Sequence, residues 1–116
     1  MILVIGGAAS GKYDYIRSLG YSPEQISEDI SSKAPVMYAL EKTVARDAGA
    51  AEALFETLLQ KEIVCCCEVG AGVIPLEKND RVFREACGRL CVRLAREAEK
   101  VVRLVSGIPV IIKEQE

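Results

Sequence analysis

The chain has 116 residues, half of them hydrophobic and 28% charged, a composition typical of one globular domain spanning residues 1–116. Its formal net charge of −2 argues against nucleic-acid binding through a broad basic surface. No apolar stretch has the length of a membrane span, and the first residues resemble a strand rather than a signal peptide. We therefore expect a cytoplasmic protein with no membrane or nucleic-acid partner.

The amino-terminal motif is the most informative part of the chain. Residues 2–5 are apolar and predict a buried strand ending at Gly6, and a helix is expected from Gly11 to Leu19, where Gly20 stops it. Between them the sequence follows the phosphate-loop pattern G-x-x-x-x-G-K, in which backbone amides surround an anion and the lysine reaches the outer phosphates. The residues predicted to bind a nucleotide are Gly6, Gly7, Ala8, Ala9, Ser10, Gly11, Lys12 and Tyr13. A glycine-rich turn that binds nothing is the alternative.

The residue after the loop lysine departs from the pattern. This position is normally Ser or Thr, whose short hydroxyl ligates Mg²⁺, but here it is Tyr13. The phenol oxygen is held too far from the backbone to take that place. The motif therefore predicts phosphate binding with poor support for Mg²⁺.

The middle of the chain, residues 20–60, gives weaker signals. Residues 22–25 have the pattern of a capped helical turn, and residues 31–35 have the composition of a linker. Helices are predicted over residues 36–46 and 51–60, the second with its large apolar side chains on one face.

The five cysteines and the absence of histidine limit the kinds of catalysis and metal binding that the sequence can support. Three consecutive cysteines lie within the apolar run 63–67, which is typical of a strand covered on both faces, and neighbours on a strand point to opposite faces. Cys87 and Cys91 lie four residues apart in a predicted helix. Neither spacing is a zinc pattern, so we interpret the thiols as core packing and predict no metal site. Without histidine, Cys-His and Ser-His catalysis are excluded.

The last third of the chain predicts a long helix, residues 79–100, followed by two strands, residues 101–105 and 110–113, joined as a hairpin. Alternation of strands and helices implies an α/β three-layer domain with a mainly parallel sheet and a C-terminal hairpin. In such sheets ligands bind beyond the carboxyl ends of the strands. Glu68 and the glycine-rich segment behind it follow a strand, so we expect them to face the amino-terminal loop across one cleft.

Four segments together resemble the motifs of one known family. They read GGAASGK at residues 6–12, EVGAGVIP at 68–75, FREACGRL at 83–90 and SGIPVIIK at 106–113. In this order they are similar to the GGxxSGK, E-V-G-x-G-[IV]-[IV]-P, F-R-x-x-x-G-R-L and G-[IL]-P-x-x-[IL]-K motifs of the bifunctional adenosylcobinamide kinase/adenosylcobinamide-phosphate guanylyltransferase family.

The resemblance implies a fold, two activities and a set of site residues. The fold would be a RecA-like P-loop NTPase domain, assembled as a homo-oligomer, that uses GTP or ATP. The activities would be phosphorylation of the aminopropanol hydroxyl of adenosylcobinamide and transfer of GMP to the resulting phosphate. By position, Lys12 and Glu68 would be catalytic, and Gly70 and Gly72 would line the nucleotide cleft.

The chain also departs from that family. Guanylyl transfer in the family runs through a nucleotidylated histidine, and this chain has none, so the resemblance predicts that this step is lost. The family's histidine-bearing helix and C-L-T segment have no clear counterpart between residues 20 and 60. Only Glu28 and Asp29 offer acidic side chains near a plausible strand end there.

Two functions stay open. One is an NTP-dependent adenosylcobinamide kinase with an altered Mg²⁺ site, in which Glu68 or Asp29 organises the metal. The other is a non-catalytic protein that binds a nucleotide, a corrinoid or another phosphate compound, or that pairs with a full-length enzyme. A scaffold that has kept only the fold is the third alternative.

Overall fold

Strands and helices alternate along residues 1–68 and 78–115, which are the residues described by the computed structural model. Two 3-10 helices, Pro23–Gln25 and Ala48–Leu54, accompany the α-helices and strands. The α-helices and strands in chain order are β1 (Ile2–Gly6), α1 (Lys12–Ser18), β2 (Ile26–Ser27), β3 (Val36–Met37), α2 (Leu40–Arg46), α3 (Phe55–Leu59), β4 (Ile63–Cys67), α4 (Lys78–Glu97), β5 (Lys100–Val105) and β6 (Ile108–Glu114).

All six strands form one sheet in the order β2-β3-β4-β1-β5-β6. The pairs from β2 to β5 are parallel, and β6 returns antiparallel to β5 as a hairpin. The predicted mainly parallel α/β sheet with a C-terminal hairpin is confirmed. Strand β1 lies between β4 and β5, so the loop that follows it leaves the middle of the sheet at its carboxyl edge.

Helices cover both faces of the sheet and make three layers. One face carries Leu3, Val64 and Val101 and packs against α2, α3 and α4. The opposite face carries Val4 and Val102, against which Ile16 of α1 is fully buried. Burial of both faces explains why β1 and β4 are apolar throughout rather than alternating.

The cysteines of β4 follow the alternation expected of a strand. Cys65 packs on the α1 face, whereas Cys66 packs on the face covered by α4. Both are fully buried, as expected for thiols that fill the core.

The helix predicted from Val36 is wrong at its start. Val36 and Met37 form β3, which pairs with Ile63 and Val64 of β4, and the helix begins only at Leu40. Both residues are fully buried on opposite faces of the sheet, and this burial overrides their local helical pattern. The second predicted helix is a 3-10 segment that continues into α3.

Helix α4 packs its apolar stripe onto the sheet and onto the 3-10 segment Ala48–Leu54. Ala86, Leu90 and Leu94 are buried on this stripe. No helix among the described residues combines the length and the apolar character that crossing a membrane requires.

Candidate functional site

The amino-terminal loop leaves the sheet at Gly6, the last residue of β1. Gly6 lies opposite Cys67 of β4 and Leu104 of β5. A Cβ atom at Gly6 would lie 2.5 Å from the Ser10 Oγ atom and 3.0 Å from the Leu104 carbonyl oxygen. A side chain at this position would therefore require the Ser10 hydroxyl to turn away and would crowd the backbone of β5.

The second glycine of the motif closes the loop. Gly11 adopts φ +92°, a left-handed conformation that L side chains rarely adopt, and immediately precedes α1. A Cβ atom there would lie 3.1 Å from the Gly107 Cα atom in the β5–β6 turn. The Gly107 N–H donates to the Ser10 carbonyl oxygen at 2.9 Å. The loop is thus braced by the hairpin turn at the far end of the chain.

Lys12 is the first residue of α1 and is 8% exposed. Its ammonium donates to the Gly7 carbonyl oxygen at 2.6 Å and to the Gly6 carbonyl oxygen at 3.2 Å, and it lies 3.5 Å from the Ser10 Oγ atom. All three acceptors are neutral. The Lys12 ammonium is therefore held inside the curl of the loop by the dipoles of these groups, which suits an anion that approaches the loop.

Lys12 also lines a cavity of about 270 Å³. Its walls include the predicted loop residues from Ala9 to Tyr13, together with Asp14 and Tyr38. The Tyr13 ring meets the Tyr38 ring edge to face, with centroids 5.6 Å apart. Tyr13 and Tyr38 thus pack against each other at the same cavity that Lys12 lines.

Tyr38 was not predicted as a site residue. It follows β3, and its N–H donates to the Ser27 carbonyl oxygen at 2.8 Å, which fixes its place at the carboxyl edge of the sheet. Burial, together with the nearby Cys65 and Glu41, raises the pKa of the Tyr38 phenol, so the group stays a neutral hydroxyl at physiological pH. The signal for Tyr38 in the sequence is the apolar pair Val36–Met37 immediately before it. This pair can be identified as a strand only when its pairing with β4 is known.

Glu68 lies beside the loop through its backbone but points its carboxylate elsewhere. The Glu68 N–H donates to the Gly6 carbonyl oxygen at 2.8 Å. Its carboxylate accepts two bonds from Arg103, at 2.7 Å from Nε and 3.2 Å from the terminal nitrogen. Glu68 does not line the cavity at Lys12, so the structure brings the loop residues together without its carboxylate. The predicted Gly70 and Gly72 lie outside the described residues.

The other acidic residues near this edge have different partners. The Glu41 carboxylate accepts the Cys67 N–H at 2.9 Å, a contact that sequence reasoning missed. Asp29 accepts bonds from the backbone and hydroxyl of Ser31, which lower the pKa of its carboxyl, and Glu28 pairs with Lys42. Over residues 1–68 and 78–115, no group of three close carboxylates forms at the loop. Asp14 is the acidic side chain that lines the cavity itself.

A larger cavity, of about 720 Å³, lies at the other edge of the sheet. Pro35 and Glu62, which line it, come immediately before β3 and β4 and so mark their amino ends. Lys61 fills part of its wall and donates to the carbonyl oxygens of Ser32 and Ala34 at 2.7 and 2.8 Å. None of the predicted site residues that the structure describes lines this larger cavity, whereas the smaller cavity is lined by a buried lysine and a positive-φ glycine of the phosphate-loop motif, so the smaller cavity is the better candidate site.

Comparison with known proteins adds a line of evidence that is independent of the loop. The sequence model of the family described as cobinamide kinase / cobinamide phosphate guanyltransferase matches residues 28–112, so this match does not include the loop motif at residues 6–13.

Two curated relatives carry the name bifunctional adenosylcobalamin biosynthesis protein CobU. The one from Salmonella typhimurium is 43% identical over 53 residues, which are 46% of this chain and 29% of the relative. The one from Escherichia coli K12 is 33% identical over 75 residues, which are 65% of this chain and 41% of the relative. The matched parts thus cover less than half the length of each relative. Because the family model matches most of the chain, including β3, β4, β5 and most of β6, the chain belongs to the cobinamide kinase / cobinamide phosphate guanyltransferase family.

Proposed function

We propose that the chain is a nucleotide-binding domain of cobalamin biosynthesis whose loop, residues 6–13, holds the phosphates of GTP or ATP. The observation that carries this proposal is the Lys12 ammonium, which is buried within the loop and bonded to the neutral carbonyls of Gly6 and Gly7. A phosphate offers that ammonium charged acceptors in place of neutral ones, and charge-assisted bonds are roughly twice as strong. The cavity that Lys12 lines gives the phosphates room.

The chemical step proposed is phosphoryl transfer from the bound nucleotide to the hydroxyl of a cobinamide-type corrinoid. Phosphoryl transfer depends mainly on positioning and on neutralising charge at the outer phosphates. Lys12 supplies that charge from within the loop. Guanylyl transfer through a histidine is not part of the proposal, because these 116 residues contain no histidine.

Non-catalytic nucleotide binding is the second candidate, and two observations favour it. Tyr13 stands where a metal-ligating hydroxyl is expected, and its ring packs against Tyr38. The Glu68 carboxylate is bonded to Arg103 rather than directed at the cavity. A domain with these features holds a nucleotide without organising Mg²⁺ for transfer, and it acts by binding the corrinoid or a second protein.

Calorimetric titration with GTP and ATP, with and without Mg²⁺, tests nucleotide binding. Lys12→Ala should weaken binding about 10- to 100-fold, since a bond to a charged partner is worth roughly 1.5–3 kcal/mol. Lys42→Ala is the matched control, because Lys42 is an exposed lysine paired with Glu28. Equal binding to both variants, or no binding of either nucleotide to the wild type, contradicts the proposal.

Turnover separates the two candidates. Incubation with Mg²⁺, GTP or ATP, and cobinamide should yield phosphorylated cobinamide if the domain is a kinase. If nucleotide binds with little Mg²⁺ dependence and no phosphorylated product forms, the domain is a binding module.

A further inference from the structure

Three thiols converge between β4 and α4, on the face of the sheet away from Lys12. The sulfur atoms of Cys66, Cys87 and Cys91 all lie within 4.8 Å of one another. The Cys66 and Cys87 sulfurs are 3.5 Å apart. Neither the proposed nucleotide site nor any contact described for it uses these thiols.

Local geometry brings the three thiols together. Cys87 and Cys91 are four residues apart on α4 and so lie one above the other on a single helix face. Cys66 is the residue of β4 whose side chain points to that helix, whereas its neighbour Cys65 points to the opposite face. The three sulfur atoms, called the thiol triangle below, therefore meet because one strand position faces one helix face. The spacing of the cysteines along the sequence does not reveal this contact.

The three thiols of the cluster differ in their access to solvent. Cys66 and Cys87 are fully buried, while Cys91 is partly exposed and connects the cluster to solvent. The partly exposed side of Cys91 is therefore the side from which a small ion would approach the three sulfur atoms.

We propose that Cys66, Cys87 and Cys91 bind one thiophilic metal ion, zinc(II) or copper(I), through their three sulfur atoms. Sulfur ligands select ions of this kind. Two thiolates on one tetrahedral zinc, each at about 2.3 Å from the metal, are roughly 3.8 Å apart. The Cys66 and Cys87 sulfurs, at 3.5 Å, are close to that separation, and the Cys91 sulfur lies within 4.8 Å of both.

The binding step is a simple exchange of protons for metal. Three metal–sulfur bonds form, the protons still held by the thiols are released to solvent, and no atom is oxidised or reduced. Copper(I) is satisfied by three thiolates. Zinc(II) takes a fourth ligand, for which water has access on the partly exposed Cys91 side.

The test is a competition titration of the reduced, full chain under anaerobic conditions, using zinc(II) or copper(I) against a chromophoric chelator. We expect one ion per chain, proton release on binding, and at least 10-fold weaker binding by Cys66→Ala and by Cys91→Ala. Cys65→Ala is the matched control, because it removes an equally buried thiol one residue away, on the other face. X-ray absorption of the loaded wild type should show three sulfur neighbours.

The design remains decisive if a buried variant unfolds. Cys91 is partly exposed, so Cys91→Ala should keep the wild-type circular dichroism spectrum while losing metal affinity. If neither ion binds the wild type more tightly than it binds Cys91→Ala, or if Cys65→Ala weakens binding as much as Cys66→Ala, the thiols only fill the core and the proposal is wrong. Both outcomes are independent of nucleotide binding, since the cluster and the loop lie on separate parts of the fold.

Discussion

At the scale of single residues, the loop depends on backbone space more than on side chains. Gly11 has a φ of +92°, and a Cβ atom added at Gly11 would lie 3.1 Å from the Gly107 Cα atom. Gly7 has neither constraint, because nothing lies within 4 Å of a Cβ atom there and its φ is not positive. Two glycines four residues apart in one motif are therefore expected to differ sharply in their tolerance of a side chain.

We predict that Gly11→Ala lowers the free energy of unfolding by about 1–3 kcal/mol, the cost of holding a non-glycine residue in a strained conformation. Gly7→Ala should change it by less than about 0.5 kcal/mol. Urea denaturation followed by circular dichroism measures both. Equal destabilisation by the two substitutions would show that the close approach of Gly11 to the hairpin turn is not what fixes the loop.

At the scale of elements, the strands and helices predicted best are those whose own residues show a clear apolar run or repeat, without reference to a partner element. Strands β1 and β4 are continuous apolar runs, and the stripe of α4 repeats over many turns, so both could be identified from sequence. Strand β3 has two residues, and its identity comes from pairing with β4, which no local pattern records. For the same reason Tyr38 was missed as a site residue, and the thiol triangle could not be seen from spacing.

Helix α4 contributes to stability mainly through its buried apolar stripe, and the Leu90 side chain on this stripe is fully buried. We predict that Leu90→Ala lowers the free energy of unfolding by about 2–5 kcal/mol, because it removes buried methyl groups and leaves a cavity. Leu19→Ala is the same substitution at a leucine that is 46% exposed, and it should cost less than about 0.5 kcal/mol. Denaturation curves in which the two variants coincide would place Leu90 outside the cooperative core.

At the scale of the whole molecule, the edge of the sheet formed by β6 is unusually apolar. Ile108, Val110, Ile111 and Ile112 are each between 46% and 65% exposed, and among the strands that the structure describes β6 pairs only with β5. Beside it, an apolar groove runs between α4 and β6 and is lined by Val92 and Ile112. Exposed apolar edge strands favour pairing with another chain. These features support the expectation that the protein forms a homo-oligomer.

We predict that sedimentation of the wild type shows a species larger than one chain, and that Ile112→Lys converts it to the monomer. Val82→Lys introduces the same charge at a comparably exposed valine on α4 and should leave the assembly intact. A wild type that sediments as a monomer at high concentration, or a Val82→Lys variant that dissociates as fully as Ile112→Lys, would contradict this role for β6.

The site itself was predicted from sequence only in part. The loop residues and their curl around Lys12 follow from the G-x-x-x-x-G-K pattern, since that pattern specifies both the glycines and the lysine. The hydrogen bond between Glu68 and Arg103 joins residues 35 positions apart in the sequence. Glu68 follows β4 and Arg103 lies on β5, so the bond crosses β1, the strand between them. Such a contact depends on strand order, which the sequence alone does not fix.

A crystal structure of the chain soaked with GTP tests the central claim most directly. We predict phosphate density in the cavity between the loop and Tyr38, with the Lys12 ammonium bonded to a phosphate oxygen instead of the Gly7 carbonyl. If a saturated crystal shows the nucleotide bound elsewhere, or shows Lys12 still on the Gly7 carbonyl beside an empty cavity, the loop is not the nucleotide site.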